Sequence, residues 1–152
     1  MSQDFIAQKY IDKLSNIQDE VALVVNIHLF TEHVINRIMK EKKKNPNQHI
    51  IERSSFVVKL DLLYNMDLIP KELYENINKL NTLRNKCAHN LDYDFVGMDC
   101  NYNMTNEVFD PKKPFPSINL EKLNLKDRLG WIGGFTFGWL VNHSIFKLGL
   151  QV

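Results

Sequence analysis

The sequence of 152 residues contains few of the features that define specialised protein classes. Its two cysteines, Cys87 and Cys100, are too few for a disulfide framework. The 19 Lys and Arg residues nearly balance the 18 Asp and Glu residues, so no overall field attracts nucleic acid or an anionic membrane. Any anion-binding site must therefore be local. The length and a hydrophobic content of 44% indicate one globular domain that buries its own core.

Targeting and membrane signals are also scarce. Residues 1–5 contain neither a basic stretch nor a long apolar run, so we expect a cytoplasmic protein. Residues 129–146 contain no Asp, Glu, Lys or Arg and approach the length of a transmembrane helix. Asn142, His143 and Ser144 would be costly in hydrocarbon, and the four glycines of this segment lower its hydrophobicity. We therefore expect a buried core helix and no contact with a membrane.

Hydrophobic periodicity predicts an all-α fold, a helical bundle of about four to five helices with a long irregular insertion before the last one. The insertion covers residues 90–119, where Gly97 and three prolines interrupt every period. A strand at residues 131–141 is the competing interpretation of the last helix. We expect residues 1–152 to form a single domain, with helices at residues 5–14, 19–43, 54–65, 70–89 and 123–148.

Three glycines of the last predicted helix recur every four residues, at Gly130, Gly134 and Gly138. Each glycine costs nearly 1 kcal/mol relative to alanine in a helix interior. We expect compensation from another backbone that approaches closely along this glycine stripe, either within the domain or across a dimer.

The helix predicted at residues 70–89 has three different faces on an ideal helical wheel. One face is apolar, and a second, with Glu72, Glu75, Lys79 and Lys86, must face water. The third face is polar without a formal charge, which suits a contact surface. It contains Tyr74, Asn78, Asn81, Asn85 and His89.

Arg84 is the exception on this helix, because it falls in the middle of the apolar face. Its guanidinium group cannot lose its charge, so burial requires a partner unless the side chain reaches water. The helix at residues 19–43 offers Glu32 within an apolar face, one turn after His28. We therefore expect an ion pair between Glu32 and Arg84, with Asp61 as the alternative acid.

Residues 84–89 (RNKCAH) match the Arg-Asn-x-x-x-His signature of the HEPN superfamily, at the C-terminal end of a helix as that family requires. The flanking segments 56–64 (FVVKLDLLY), 67–69 (DLI) and 80–85 (LNTLRN) resemble the branch of that fold related to the mannitol operon repressor. The resemblance covers residues 19–91. It implies a helical bundle and, in members with an intact signature, cleavage of RNA without a metal or other cofactor, at a site shared by two copies in a homodimer.

The resemblance also implies a role for each residue of the signature. His89 would act as general base or acid, Arg84 would stabilise negative charge on the phosphate, and Asn85 would orient His89 or the phosphate. The product would be a 2′,3′-cyclic phosphate formed by attack of the neighbouring 2′-hydroxyl. Glu32 and His28 would support the site. Arg84 and His89 diverge by about 140° on an ideal helix, which independently favours two copies facing each other.

Partners follow from the same interpretation. Tyr74, Asn78 and Asn81 would form the dimer surface, and an antitoxin or regulatory protein is a possible partner if the chain is a toxin or a defence effector. RNA would contact a few scattered cations, namely Lys86, Lys43, Lys44, Lys112 and Lys113. The histidines and cysteines lack the spacing of zinc ligands, so we expect no metal site.

Two alternatives to an enzyme stay open at this point. One is a non-catalytic regulatory or scaffold protein of the mannitol-repressor type, which would act through protein contacts. The other is an RNA or nucleotide binder without turnover. The intact signature favours catalysis over both.

Overall fold

A computed structural model describes residues 6–42, 53–104 and 118–152, and these residues form five α-helices and no β-strand. The predicted all-α class is confirmed. The alternative of a strand at residues 131–141 is wrong, because this segment lies inside the last helix. The helices are α1 (Ile6–Leu14), α2 (Glu20–Lys42), α3 (Phe56–Asn65), α4 (Lys71–His89) and α5 (Leu125–Phe146), with a short 3₁₀ turn at Leu120–Lys122.

Side-chain oxygens mark the residues at which three of these helices begin. Asp19 and Asn124 each accept a hydrogen bond from the backbone N–H three residues later, at 2.8 and 2.9 Å. Ser55 precedes α3 in the same way. These oxygens satisfy N–H groups that have no partner within the helix. Pro70 lies just before α4 in an extended conformation, so this helix begins one residue later than predicted.

α2 is the centre of the bundle, because it packs against all four other helices. Its buried residues recur at spacings of three and four and lie on one broad face of the helix, opposite exposed residues such as His33 and Arg37. Polar side chains such as His28 and Thr31 are therefore buried together with the apolar ones. The fully buried apolar residues of α2 include Ile27, Val34, Ile35, Ile38 and Met39.

α5 lies in the core, as predicted, and its ends are within two residues of the expected ones. Two of its polar residues are satisfied by the protein: Ser144 donates to the backbone oxygen of Leu140 at 2.7 Å, and His143 bonds the backbone oxygen of Leu68 at 2.8 Å. Across the three described ranges, no helix is long and apolar enough to cross a membrane.

Close approach to α5 occurs at Gly133, which lies outside the predicted glycine stripe. A Cβ atom at this position would lie 2.5 Å from the Cδ1 atom of Ile27 on α2. At Gly130 and Gly134 a Cβ atom would meet no heavy atom within 4 Å. Close approach within the domain, one of the two expected forms of compensation, therefore does not occur at these two positions. The spacing of glycines predicts a small surface but does not show which glycine faces a neighbouring helix.

The part of the irregular insertion that the structure describes, residues 90–104, has no regular secondary structure and ends as a strap along α4. The amide of Asn76 forms two hydrogen bonds of 2.8 Å with the backbone of Asn103. Lys79 lies 3.3 Å from a carboxylate oxygen of Asp99 and bonds the backbone oxygen of Asn101. Part of the face that was expected to meet water therefore binds this strap, because Lys79 and the neighbouring Asn76 bond the backbone of Asn101 and Asn103.

We expect Gly133→Ala and Gly130→Ala to change stability in opposite directions. The added methyl group at position 133 must displace Ile27, which costs about 1–3 kcal/mol of unfolding free energy. The same group at position 130 has open space and improves helix propensity by about 0.5–1 kcal/mol. Urea denaturation followed by circular dichroism measures both. Equal effects of the two substitutions would show that α2 and α5 are not in close contact at Gly133.

Candidate functional site

The signature residues lie on the C-terminal part of α4, and their exposure differs. Arg84 and Asn85 are partly buried, whereas His89 is the last residue of the helix and is exposed. A guanidinium nitrogen of Arg84 donates to the side-chain oxygen of Asn85 at 3.1 Å. Arg84 and His89 therefore occupy different faces of one helix, as their spacing predicts.

A buried polar contact joins α2 to α4 one turn before the signature. The Nε2 atom of His28 lies 3.0 Å from the side-chain oxygen of Asn81, and the two residues are 2% and 5% exposed. Because a carbonyl oxygen only accepts, Nε2 is the donor. The imidazole ring also packs against the ring of Phe56, with 4.2 Å between ring centroids.

The expected dimer surface is only partly exposed. Asn81 was predicted to lie on it, but its side chain is turned inward to His28 and cannot reach a partner. Tyr74 is partly buried, donates its hydroxyl to Asp61 at 2.7 Å and stacks on Tyr64. Asn78 is exposed. Asp61, the alternative acid for Arg84, therefore has the Tyr74 hydroxyl as its partner.

Glu32 forms its ion pair with Lys59 on α3 and not with Arg84. The ammonium group of Lys59 lies 3.1 Å from a carboxylate oxygen of Glu32 and donates to the side chain of Asn36 at 2.8 Å. Lys59 is 4% exposed, so its charge requires a carboxylate more than the charge of the partly buried Arg84 does. This outcome corrects the expected pairing of Glu32 with Arg84.

Lys59 is the residue of this network that the sequence analysis missed. It occurs in the segment 56–64, which was noted only for its resemblance to a family. A signal was present, because Lys59 is adjacent to Leu60 and four residues before Leu63, on the side of the helix that is apolar. A lysine on such a face needs an acid from a neighbouring helix.

His28 lies between charges of both signs. Burial lowers the pKa of His28, and the positive charges of Arg84 and Lys59 lower it further, whereas the bond to Asn81 and the charge of Glu32 raise it. The second ring nitrogen, Nδ1, lies 4.0 Å from a carboxylate oxygen of Glu32 and has no hydrogen-bond partner among the described residues. The imidazole is therefore neutral at pH 7.

These contacts leave Arg84 as the cation of the network without an acid. Within the described residues, no carboxylate lies within ion-pair distance of its guanidinium group, and its hydrogen bond goes to the neutral amide of Asn85. Guanidinium groups match the geometry of phosphate oxygens and bind them with two parallel hydrogen bonds. The arrangement is therefore suited to bind an external anion at Arg84.

Of the lysines predicted to contact RNA, the structure describes only Lys86. Lys86 is exposed on α4. Lys43, Lys44, Lys112 and Lys113 lie outside the described residues, so their predicted contacts with RNA have no structural counterpart here.

A groove between α1 and α2 is separate from this network. It has a volume of about 620 Å³ and contains none of the predicted site residues. Its lining combines the apolar Ile6, Leu29 and Phe30 with Lys9, Lys13 and His33. No group of three or more His, Cys, Asp or Glu residues in the described ranges is arranged to hold a metal ion.

Comparisons of the chain with protein-family models, with curated proteins and with solved structures give no match. The resemblance to the HEPN superfamily therefore rests on the six residues from Arg84 to His89 and on their flanking helices. What the site can do follows from its own contacts and charges.

We expect Glu32→Gln to destabilise the protein more than Lys59→Met does. In Lys59→Met, Glu32 loses its partner but is 29% exposed and can be solvated. In Glu32→Gln, Lys59 keeps a buried charge without its carboxylate. The expected loss of unfolding free energy for Glu32→Gln is about 1–3 kcal/mol, and adding Lys59→Met should recover part of it.

The matched control is the exposed pair of Arg37 and Glu41, whose charged atoms are 3.7 Å apart. Glu41→Gln should change stability by less than about 0.5 kcal/mol. Urea denaturation of the four variants gives the comparison. A loss for Glu32→Gln no larger than that for Glu41→Gln would contradict a buried ion pair at Lys59.

Stability should also fall as the pH is lowered below about 6.5, the ordinary pKa of histidine. Because burial lowers the pKa of His28 and of His143 in the folded state, the unfolded chain binds more protons in this range. Each histidine contributes at most about 1.4 kcal/mol per pH unit. We expect His28→Gln and His143→Gln each to reduce this slope in chemical denaturation at pH 7.5 to 5.5. An unchanged slope in both variants would show that neither histidine is held neutral by the fold.

Proposed function

We propose that the chain is an endoribonuclease that cleaves RNA without a metal ion, at a site formed by two copies of the chain. The observation that carries this proposal is the state of Arg84, a partly buried guanidinium group without a carboxylate partner in the described ranges. Such a group can bind a phosphate of RNA. The resemblance to the HEPN superfamily gives the class of reaction, and it extends the proposal to a toxin or a defence effector.

In the proposed reaction the 2′-oxygen of a ribose attacks the adjacent phosphorus, and the bond from phosphorus to the 5′-oxygen breaks. One base removes the proton of the 2′-hydroxyl, and one acid protonates the 5′-oxygen. His89 is exposed and can approach an RNA strand, and an imidazole can serve as either group near neutral pH. Arg84 would bind the phosphate oxygens, which gain negative charge in the transition state. DNA lacks the attacking hydroxyl and would not be cleaved.

The exposed residues of α4 indicate how two copies would meet. Asn78, Thr82, Asn85 and His89 recur at spacings of three and four residues and form one strip on the outer side of the helix. All four are exposed or partly exposed, and none carries a formal charge when His89 is neutral. Thr82, and not Asn81 as predicted, belongs to this exposed strip. We assign the dimer surface to this strip.

The test is incubation of the purified protein with mixed RNA in excess chelator, beside Arg84→Ala and His89→Ala. We expect cleavage by the unmodified protein, with 2′,3′-cyclic phosphate ends, and a loss of about 100-fold or more in each variant. Arg37→Ala and His33→Ala remove exposed residues of the same types from α2 and should leave the rate unchanged.

Mixing the two inactive variants tests whether the site is shared. If Arg84 of one copy acts with His89 of the other, each mixed dimer has one complete site and about a quarter of the activity should return. No return after subunit exchange would place both residues in one copy. No cleavage at all, with a folded dimer, would favour the regulatory scaffold, in which His89→Ala has no effect.

A further inference from the structure

We propose that Lys59 is a positioning residue for Arg84: by occupying the carboxylate of Glu32, it leaves the guanidinium group available to a phosphate of RNA. This inference rests on the role given to Arg84 in the proposed function. It concerns binding rather than cleavage, so the two can be tested separately.

The carboxylate of Glu32 is held on one side by Lys59. One oxygen, Oε1, lies 3.1 Å from the ammonium group, and the other, Oε2, lies 4.0 Å from the Nδ1 atom of His28. A second bond of 2.8 Å, from Lys59 to the side chain of Asn36, fixes the ammonium group against two successive turns of α2. The buried lysine therefore has little freedom to leave the carboxylate.

Arg84 belongs to the same electrostatic neighbourhood. It follows Asn81 by three residues on α4, and Asn81 binds the imidazole of His28 that adjoins Glu32. The charges of Arg84 and Glu32 both act on this imidazole. Guanidinium and carboxylate groups form strong bidentate pairs in a partly buried site. If Lys59 were absent, Glu32 would attract Arg84 and compete with phosphate for it.

Lys59 thus differs from a lysine that binds RNA itself. Its ammonium group is buried and already has two acceptors, so a phosphate cannot reach it. Lys59 affects the binding of RNA only through its ion pair with Glu32. Removal of Lys59 should therefore weaken binding, and removal of Glu32 in addition should restore it, which a merely structural role does not predict.

The experiment measures the affinity for a fluorescein-labelled 2′-O-methyl RNA oligonucleotide, which cannot be cleaved by attack of a 2′-hydroxyl. Fluorescence anisotropy in chelator compares the unmodified protein with Lys59→Met, Glu32→Gln and the double variant. We expect Lys59→Met to lose about tenfold in affinity or more, and the other two to stay within about threefold of the unmodified protein. Lys59→Arg, which keeps the charge, should retain the affinity.

Three results would overturn the inference: unchanged binding by Lys59→Met, binding by the double variant as weak as that of Lys59→Met, or a loss of binding in Glu32→Gln. The last result decides the matter even if Lys59→Met fails to fold. Arg84→Ala separates the two proposals. Unchanged binding by this variant would reject the phosphate site and the role of Lys59 together. Binding that depends on Lys59 in a protein that cleaves no RNA would reject the nuclease and support the inference.

Discussion

An ammonium group in the interior of a protein requires a carboxylate within reach, and Lys59 imposes this requirement on the bundle. Transfer of such a charge from water to the interior costs several kcal/mol unless it is paired and hydrogen-bonded. Glu32 and Asn36 meet the requirement from two turns of α2, which aligns α2 with α3 at this level. The same ion pair occupies the carboxylate of Glu32, which therefore does not pair with Arg84 of the signature. One structural contact therefore determines which cation of the network is neutralised within the fold and which is not.

The helices follow from the sequence because each has a local cause. Each helix is set by signals that act over only a few residues. These are the hydrophobic periodicity, the capping oxygens of Asp19, Ser55 and Asn124, and the break at Pro70. The last helix was harder to predict, since its glycines disfavour a helix and its β-branched and aromatic residues also fit a strand. Its burial among the other helices decides the outcome, and burial is a property of the whole chain.

The polar network was less predictable, because a helical wheel gives the direction of a side chain but not the neighbour that it meets. Glu32 was expected within an apolar face, yet it is 29% exposed and its partner comes from α3 and not from α4. Asn81 and Thr82 differ by about 100° around the helix, and this rotation separates a buried contact with His28 from an exposed position. The contact of Asn76 with Asn103 could not be predicted, since Asn103 lies in an irregular segment without hydrophobic periodicity.

The strap of residues 99–103 limits the surface of α4 that a partner can contact. One side of the helix faces the core, the strap binds Asn76 and Lys79 on a second side, and the exposed outer side contains Asn78, Thr82, Lys86 and His89. Across a twofold axis above this outer side, a side chain on the axis would meet the same side chain of the other copy, and every other contact would occur twice. Amide and hydroxyl groups both donate and accept, so asparagine and threonine can bond to their own kind, whereas lysine or glutamate would meet a like charge. Self-recognition through this side of α4 would thus depend on residues that are complementary to themselves.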